Sequence, residues 1–239
     1  LRPSRRFVVL GVLSVATALG LRRAHAQRGT HAIAMHGEPA WGPVFSHPTY
    51  VNPQAPKGGH LTHGVLGTFD CLNPFIVKGL PAANMRGYIV ESLLARGYDE
   101  PFTLYGLLAD RITTDTARSY VSFGINPAAR FADGKPVTPA DVIFSWELLR
   151  DKGRPNFRTY YIKVTKAEAT DTRTVRFDLS DADDRELPLI IGLMPVLAKH
   201  AINADTFEDT SFEPLLGSGP YRVSNVRPGE SVTFTRDKN

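Results

Sequence analysis

Residues 61–94 read LTHGVLGTFDCLNPFIVKGLPAANMRGYIVESLL, and the rest of the chain is organised around this stretch. Leu61 to Leu66 reads as a short apolar strand. It runs into Gly67-Thr68-Phe69-Asp70 and then Asn73-Pro74, both turn chemistry. Lys78-Gly79-Leu80-Pro81 then opens a segment in which Met85, Ile89 and Leu93, with Val90 and Leu94 beside them, recur at four-residue spacing. That period predicts a helix with one apolar face. A strand end, an irregular excursion and a helix whose first amides point back over the strand is where open α/β sheets take ligands. A plain strand–loop–helix connection carries the same signature, and the residues alone leave both readings open.

Working outward to the N-terminal side, Arg28 to Pro56 is rich in Gly, Pro and His and holds no period. It is expected to lie extended on a surface, anchored by Trp41, Phe45 and Tyr50. Before it, Arg2, Arg5 and Arg6 precede Phe7 to Leu21, fifteen residues without a charge. This is short of the roughly 20 residues that span a bilayer core. Ala24-His25-Ala26 follows in the small-x-small pattern of a signal-peptidase site. Residues 1–26 therefore read as a secretory signal peptide, and the mature protein as extracytoplasmic. Ser4-Arg5-Arg6-Phe7 keeps the twin-arginine route open beside the general secretory one. The chain opens on Leu1 rather than Met, which points to a start upstream or an alternative initiation codon.

Charge follows the same division. The 239 residues carry a formal charge of +4, with 28 basic and 24 acidic side chains. Five of the arginines, and no acid, lie in the first 26 residues; setting those five aside leaves a net charge of −1. No basic stripe remains that would address nucleic acid. Cys71 is the single cysteine, so an internal disulfide framework is excluded, and a small buried residue near a strand end is its expected role.

On the C-terminal side, Val121, Phe123 and Ile125 alternate with Ser122 and Gly124, a half-buried strand. Asp133-Gly134 signals a turn. Val137-Thr138-Pro139-Ala140-Asp141 is the sharpest helix start: Thr138 as N-cap, Pro139 at the first helical position, Asp141 closing a capping box. Val142, Ile143, Trp146 and Leu149 give that helix its buried face, and Gly153 and Pro155 stop it. Tyr160 to Ala169 and Thr174 to Leu179 read as a hairpin. Leu187 to Leu197, broken by Pro188, Gly192 and Pro195, reads as a short strand or an irregular crossing. Ala198 to Phe207 has room for a short helix. Gly217-Ser218-Gly219-Pro220 opens a last hairpin, with Tyr221, Val223 and Val226 on one arm and Val232 and Phe234 on the other. The sequence stops there without a closing element, so a truncated chain is expected.

Four pieces, in order, resemble the N-terminal half of the family 5 extracellular solute-binding proteins, the oligopeptide-binding receptors of ABC importers. They are Leu72-Asn73-Pro74, the run FADGKPVTPADVIFSW at 131–146, Thr174-Val175-Arg176-Phe177, and Gly217-Ser218-Gly219-Pro220-Tyr221. MHGEPAW, APKGG, GTFDCLNPFIVKGLPAAN, DEPF and RELPLIIG are similar to the Yej-type subgroup, associated with uptake of peptides and of peptide antibiotics of the microcin C type. The resemblance covers residues 33–239.

It implies an α/β fold: a periplasmic-binding-protein-like type II lobe carrying an inserted mixed α/β domain, truncated before the second lobe. Behind the extended segment of residues 27–60, the first lobe would comprise 33–90 and 200–239, and the inserted domain 91–199. In relatives the acidic residue that meets a peptide's amino terminus lies in the lobe expected to be missing. The loop matching Lys78, Gly79, Leu80 and Pro81 lines the cleft there and touches peptide main chain, with Thr68, Phe69 and Asp70 adjacent. Main-chain contacts suit a receptor that must accept many side chains. Tyr160, Tyr161, Gly192 and Leu193 are further candidates to face the cleft. The partners implied are an oligopeptide and the ABC permease and ATPase complex at the inner membrane, with no cofactor, metal or nucleic acid.

Two other classes compete. A secreted hydrolase would need a nucleophile motif, but no G-x-S-x-G or H-E-x-x-H is present, and Gly217-Ser218-Gly219 lacks the elbow spacing. A metal or haem receptor would need clustered ligands. His60-x-x-His63 is the one close pair, and on a strand its rings point to opposite faces. Asp181, Asp183 and Asp184 read as a solvated loop. The 239 residues alone are expected to bind peptide weakly or not at all.

Overall fold

A computed structural model describes residues 29–180 and 184–237; the signal-peptide reading of 1–26 and the loop reading of Asp181 and Asp183 lie outside the described residues. In chain order the elements are β1 (Ala32–Ala34), α1 (Met85–Tyr88), β2 (Leu94–Arg96), β3 (Thr103–Gly106), β4 (Ala109–Thr114), β5 (Tyr120–Ile125), α2 (Pro139–Lys152) and α3 (Pro155–Tyr161). Then come β6 (Val164–Ala169), β7 (Thr174–Leu179), α4 (Leu187–Gly192), a 3-10 turn at Lys199–Ala201, β8 (Tyr221–Arg227) and β9 (Ser231–Arg236). The strands form a three-stranded sheet β1-β3-β2, a four-stranded sheet β4-β5-β7-β6 and a hairpin β8-β9, and every pairing between them is antiparallel.

The four-stranded sheet is built on alternation. Val121, Phe123, Val175 and Phe177 point to one face and are fully buried. Phe123 and Phe177 meet edge to face at 6.3 Å, and Trp146 of α2 meets Phe177 at the same distance. Rings of this size each contribute about 2–3 kcal/mol by leaving water.

α2 starts as its sequence dictates. The Thr138 amide donates to Asp141 Oδ2 at 2.9 Å and the Asp141 amide donates to Thr138 Oγ1 at 3.4 Å, a reciprocal capping box. Asp141 is buried, and its other oxygen accepts the Lys199 amide at 3.1 Å. One turn on, Ser145 Oγ accepts the Leu197 amide at 2.7 Å and donates to the Asp141 carbonyl. Asp141 thus caps the helix and, with Ser145, fastens the stretch of chain entering the 3-10 turn.

The opening stretch departs from expectation. Leu61 to Leu66 forms no strand: it has no neighbour to bond to among the described residues, and Leu61, Val65 and Leu66 stand in solvent. The helix expected after Pro81 shrinks to α1, four residues that include non-helical Arg86 (φ −78°, ψ 129°) and Gly87. Tertiary bonds override its local period. Gly219 N donates to Ile89 O at 2.8 Å, and a Cβ on Gly217 would sit 1.8 Å from that carbonyl, so only glycine lets the two chains pass. The apolar residues keep their burial all the same: Met85, Ile89, Val90, Leu93 and Leu94 are all core, with Leu94 opening β2.

Two smaller corrections concern the middle of the chain. Tyr160 and Tyr161 end α3 rather than start a hairpin arm, because Pro155 occupies the first turn of a helix and fixes its φ. Leu187 to Gly192 is helical for the same reason, with Pro188 in its first turn. The N-terminal segment contributes one short strand, β1, and otherwise runs irregularly over the surface. Trp41 stacks on Tyr105 at 4.5 Å, with Phe45 and Tyr50 beside it. Among the described residues no helix is long and apolar enough to cross a membrane.

Candidate ligand-binding site

The chain from Thr68 to Ala82 folds back on itself. Asp70 Oδ1 accepts the Leu80 amide at 2.6 Å, the Asp70 amide donates to Leu80 O at 2.9 Å, and the Ala82 amide donates to Cys71 O at 2.9 Å. These bonds make Cys71 and Pro81 partners in a parallel bridge. Gly79 takes φ +77°, and a Cβ there would meet Asp70 Oδ1 at 2.6 Å. The loop is moored at its base: the Leu72 amide donates to Ser211 O at 2.8 Å and Asn73 Nδ2 to Phe207 O at 3.2 Å. Phe69 packs on Phe212, and Thr68 Oγ1 donates to Gly229 O in the β8–β9 turn.

This places Thr68, Phe69, Asp70, Gly79, Leu80 and Pro81 together, with Lys78 at the tip. Leu80 exposes its side chain, but its amide and carbonyl are both spent inside the loop. Of the four residues Lys78 to Pro81, only Leu80 is bonded through both main-chain groups; those of Lys78 and Gly79 and the Pro81 carbonyl carry no backbone bond among the described residues. Leu80 is thus the one member of the expected main-chain shelf that spends its backbone inside the loop. Lys78 Nζ lies 3.4 Å from Asp209 Oδ1, both well exposed, a pair worth about 1 kcal/mol at most.

The second candidate group lies across Phe75, which touches Phe157 of α3 at 6.1 Å and whose carbonyl accepts the Arg154 amide at 2.9 Å. Tyr160 is partly exposed and Leu193 half-buried. Tyr161 and Gly192 are corrected: neither can face a ligand. Tyr161 is 2% exposed, its ring against Phe157 and its carbonyl taking the Trp146 Nε1 proton. Burial pushes its hydroxyl pKa well above the ordinary tyrosine value. Gly192 is buried against Leu94, whose Cδ1 a Cβ would meet at 2.6 Å.

Sequence reading missed Arg86, which joins this second group. Its Nη2 donates to Leu193 O at 2.7 Å and its guanidinium carbon lies 6.0 Å from the centroid of Phe157. A charge inside the apolar run MRGYIVESLL was the available signal. Burial lowers its pKa, and so does neighbouring Arg96. Nearby, burial raises the Cys71 thiol and the Glu91 carboxyl above their usual values. Arg154 Nε is buried without a partner among the described residues. No three His, Cys, Asp or Glu side chains gather as metal donors among the described residues. His60 and His63 lie exposed in the irregular stretch. Two open cavities, of about 410 and 750 Å³, are lined by residues 29–43 with Arg118 and by 56–60 with 220–236; none of the candidate residues lines either.

Mixed α/β layers with antiparallel sheets form a lobe of the type II periplasmic-binding-protein kind. The solved oligopeptide-binding protein AppA of Bacillus subtilis shares this fold, with a TM-score of 0.61 at 19% identity over 72% of this chain and 35% of its own. The chain belongs to the bacterial extracellular solute-binding proteins, family 5 Middle, whose sequence model matches residues 103–239. The peptidoglycan-binding protein YepA of Agrobacterium fabrum is 47% identical over 87% of this chain and 35% of its own length. The Brucella melitensis protein BMEII0691 is 45% identical over 93% of this chain and 38% of its own. The chain thus spans little more than a third of the length of these relatives.

Proposed function

We propose that the protein is the extracytoplasmic receptor component of an ABC importer, capturing peptides without chemical change and handing them to a membrane permease and its ATPase. The observation that carries this reading is the folded-back loop Thr68–Ala82. It offers the unspent main-chain groups of Lys78 and Gly79 beside an exposed Leu80, on a chain of a solute-binding family. Main-chain groups address the amides that every peptide has in common, whatever its side chains. The likeness to YepA favours peptides released from peptidoglycan within that class. Peptide antibiotics of the microcin C type share the same backbone chemistry. The leader of residues 1–26 would deliver the protein to the periplasm.

The test uses protein expressed from its own reading frame, mixed with short linear peptides, peptidoglycan stem peptides and a peptide antibiotic of the microcin C type, and read by native mass spectrometry. Retention of intact peptides at one per protein is expected, with stem peptides ahead. Retention of none, or the appearance of cleaved products, would refute the reading, the latter in favour of a secreted hydrolase. The 239 residues alone are expected to retain the same peptides more weakly.

A further inference from the structure

Arg86 carries a charge that the fold does not answer. Arg150, Arg158, Arg176 and Arg222 each have a carboxylate within 3.5 Å, whereas Arg118, Arg130 and Arg185 are held by one or two backbone carbonyls. Arg86 has none among the described residues; its one hydrogen bond goes to the neutral carbonyl of Leu193. A guanidinium has five N–H donors in a planar fork, so most of that capacity is unspent. The side chain is exposed to solvent, yet enough protein surrounds it for burial to lower its pKa. Arg96 adds a second positive charge nearby, and no carboxylate among the described residues pairs with Arg86. Holding a cation partly out of water costs free energy that an opposite charge normally recovers. The bond to Leu193 O and the contact with Phe157 fix where the fork sits, so it is preorganised.

We infer that Arg86 is the anchor for a carboxylate of the bound ligand, receiving it bidentately between Leu193 and the Tyr160 end of α3. This deepens the peptide-receptor reading and rests on it. A peptide supplies such a group at its C-terminus or on an acidic side chain, and the Arg–carboxylate fork is the strongest match available to it. Arg86 sets specificity for acidic ligands, while the loop at Lys78 and Gly79 addresses backbone common to all peptides.

The experiment compares one peptide retained by the protein from its own reading frame in two forms, free acid and fully amidated, against Arg86→Gln and Arg86→Lys variants. Glutamine keeps a donor for Leu193 O and removes the charge. The wild type is expected to hold the acid about tenfold or more tightly than the amide. Arg86→Gln should bring the two forms level by weakening the acid alone, and Arg86→Lys should retain part of the preference. Equal affinities in the wild type, or an acid preference that survives in Arg86→Gln, overturns the assignment and leaves peptide binding standing. Retention of neither form by the wild type refutes the receptor reading, and the Arg86 role with it. Should Arg86→Gln fail to fold by circular dichroism, Arg86→Lys decides: a several-fold fall in acid preference supports the assignment, and an unchanged preference overturns it.

Discussion

Replacing Asp141 by alanine tests whether one buried carboxylate fastens two segments. In the native fold its oxygens accept the Thr138 amide at 2.9 Å and the Lys199 amide at 3.1 Å, and the Thr138 hydroxyl as well. Asp141→Ala leaves both amides without partners in a partly buried setting. It also removes a negative charge from the positive end of α2. An orphaned amide costs about 1–3 kcal/mol and a lost cap about 1 kcal/mol, so a total of roughly 2–4 kcal/mol follows, allowing for partial rescue by water. Asp141→Asn keeps one acceptor and should lose about half as much. Urea unfolding followed by far-ultraviolet circular dichroism reads both variants. A change under about 0.5 kcal/mol for Asp141→Ala would refute the fastening role. Equal losses for alanine and asparagine would show that charge, not bond count, governs the site.

Two further substitutions address other links. Gly217→Ala forces a methyl group into the Ile89 carbonyl, 1.8 Å from the ideal Cβ position, and should cost about 1–3 kcal/mol by backbone displacement; an unchanged thermal midpoint would contradict the close crossing. Asp184 is held below the usual carboxylate range: burial acts to raise it, but Lys163 and the amides of Glu186 and Leu187 outweigh that. A depressed pKa contributes stability that is present above the unfolded value of about 3.9 and lost as pH falls through the folded one. Asp184→Asn should therefore lower stability by about 1 kcal/mol at pH 7 and flatten the acid limb of the stability curve; parallel curves for variant and wild type would refute this.

Elements whose determinants are local were legible in the sequence. α2 follows from Thr138, Pro139 and Asp141, and β5 and β7 from strict alternation onto one core face. The β8–β9 hairpin follows from Pro228-Gly229 between apolar arms. What failed was decided at a distance. Leu61 to Leu66 has the composition of a strand, but a strand also needs a neighbour, and alternation cannot supply one. Met85 to Leu94 has a helical period that marks burial correctly, yet the close passage of Gly217 and Gly219 sets its backbone instead. In the candidate site, proximity of Thr68–Asp70 to Lys78–Pro81 was legible because the chain turns between them. That Leu80 would spend its own main chain on Asp70 was not, since it depends on a side chain ten positions away. Tyr161 looked available beside Tyr160, but neighbours on a helix face different directions, and Phe157 claims it.

The bare run from Leu61 to Gly67 also governs how the material will behave at the bench. Leu61 is 88% and Leu66 fully exposed, and among the described residues β9 bonds to β8 alone, leaving one of its sides open. An open strand side and uncovered aliphatic groups each invite copies of the molecule to stack on one another as concentration rises. Light scattering against protein concentration should show aggregates growing, and lysine at positions 61 and 66 should suppress them.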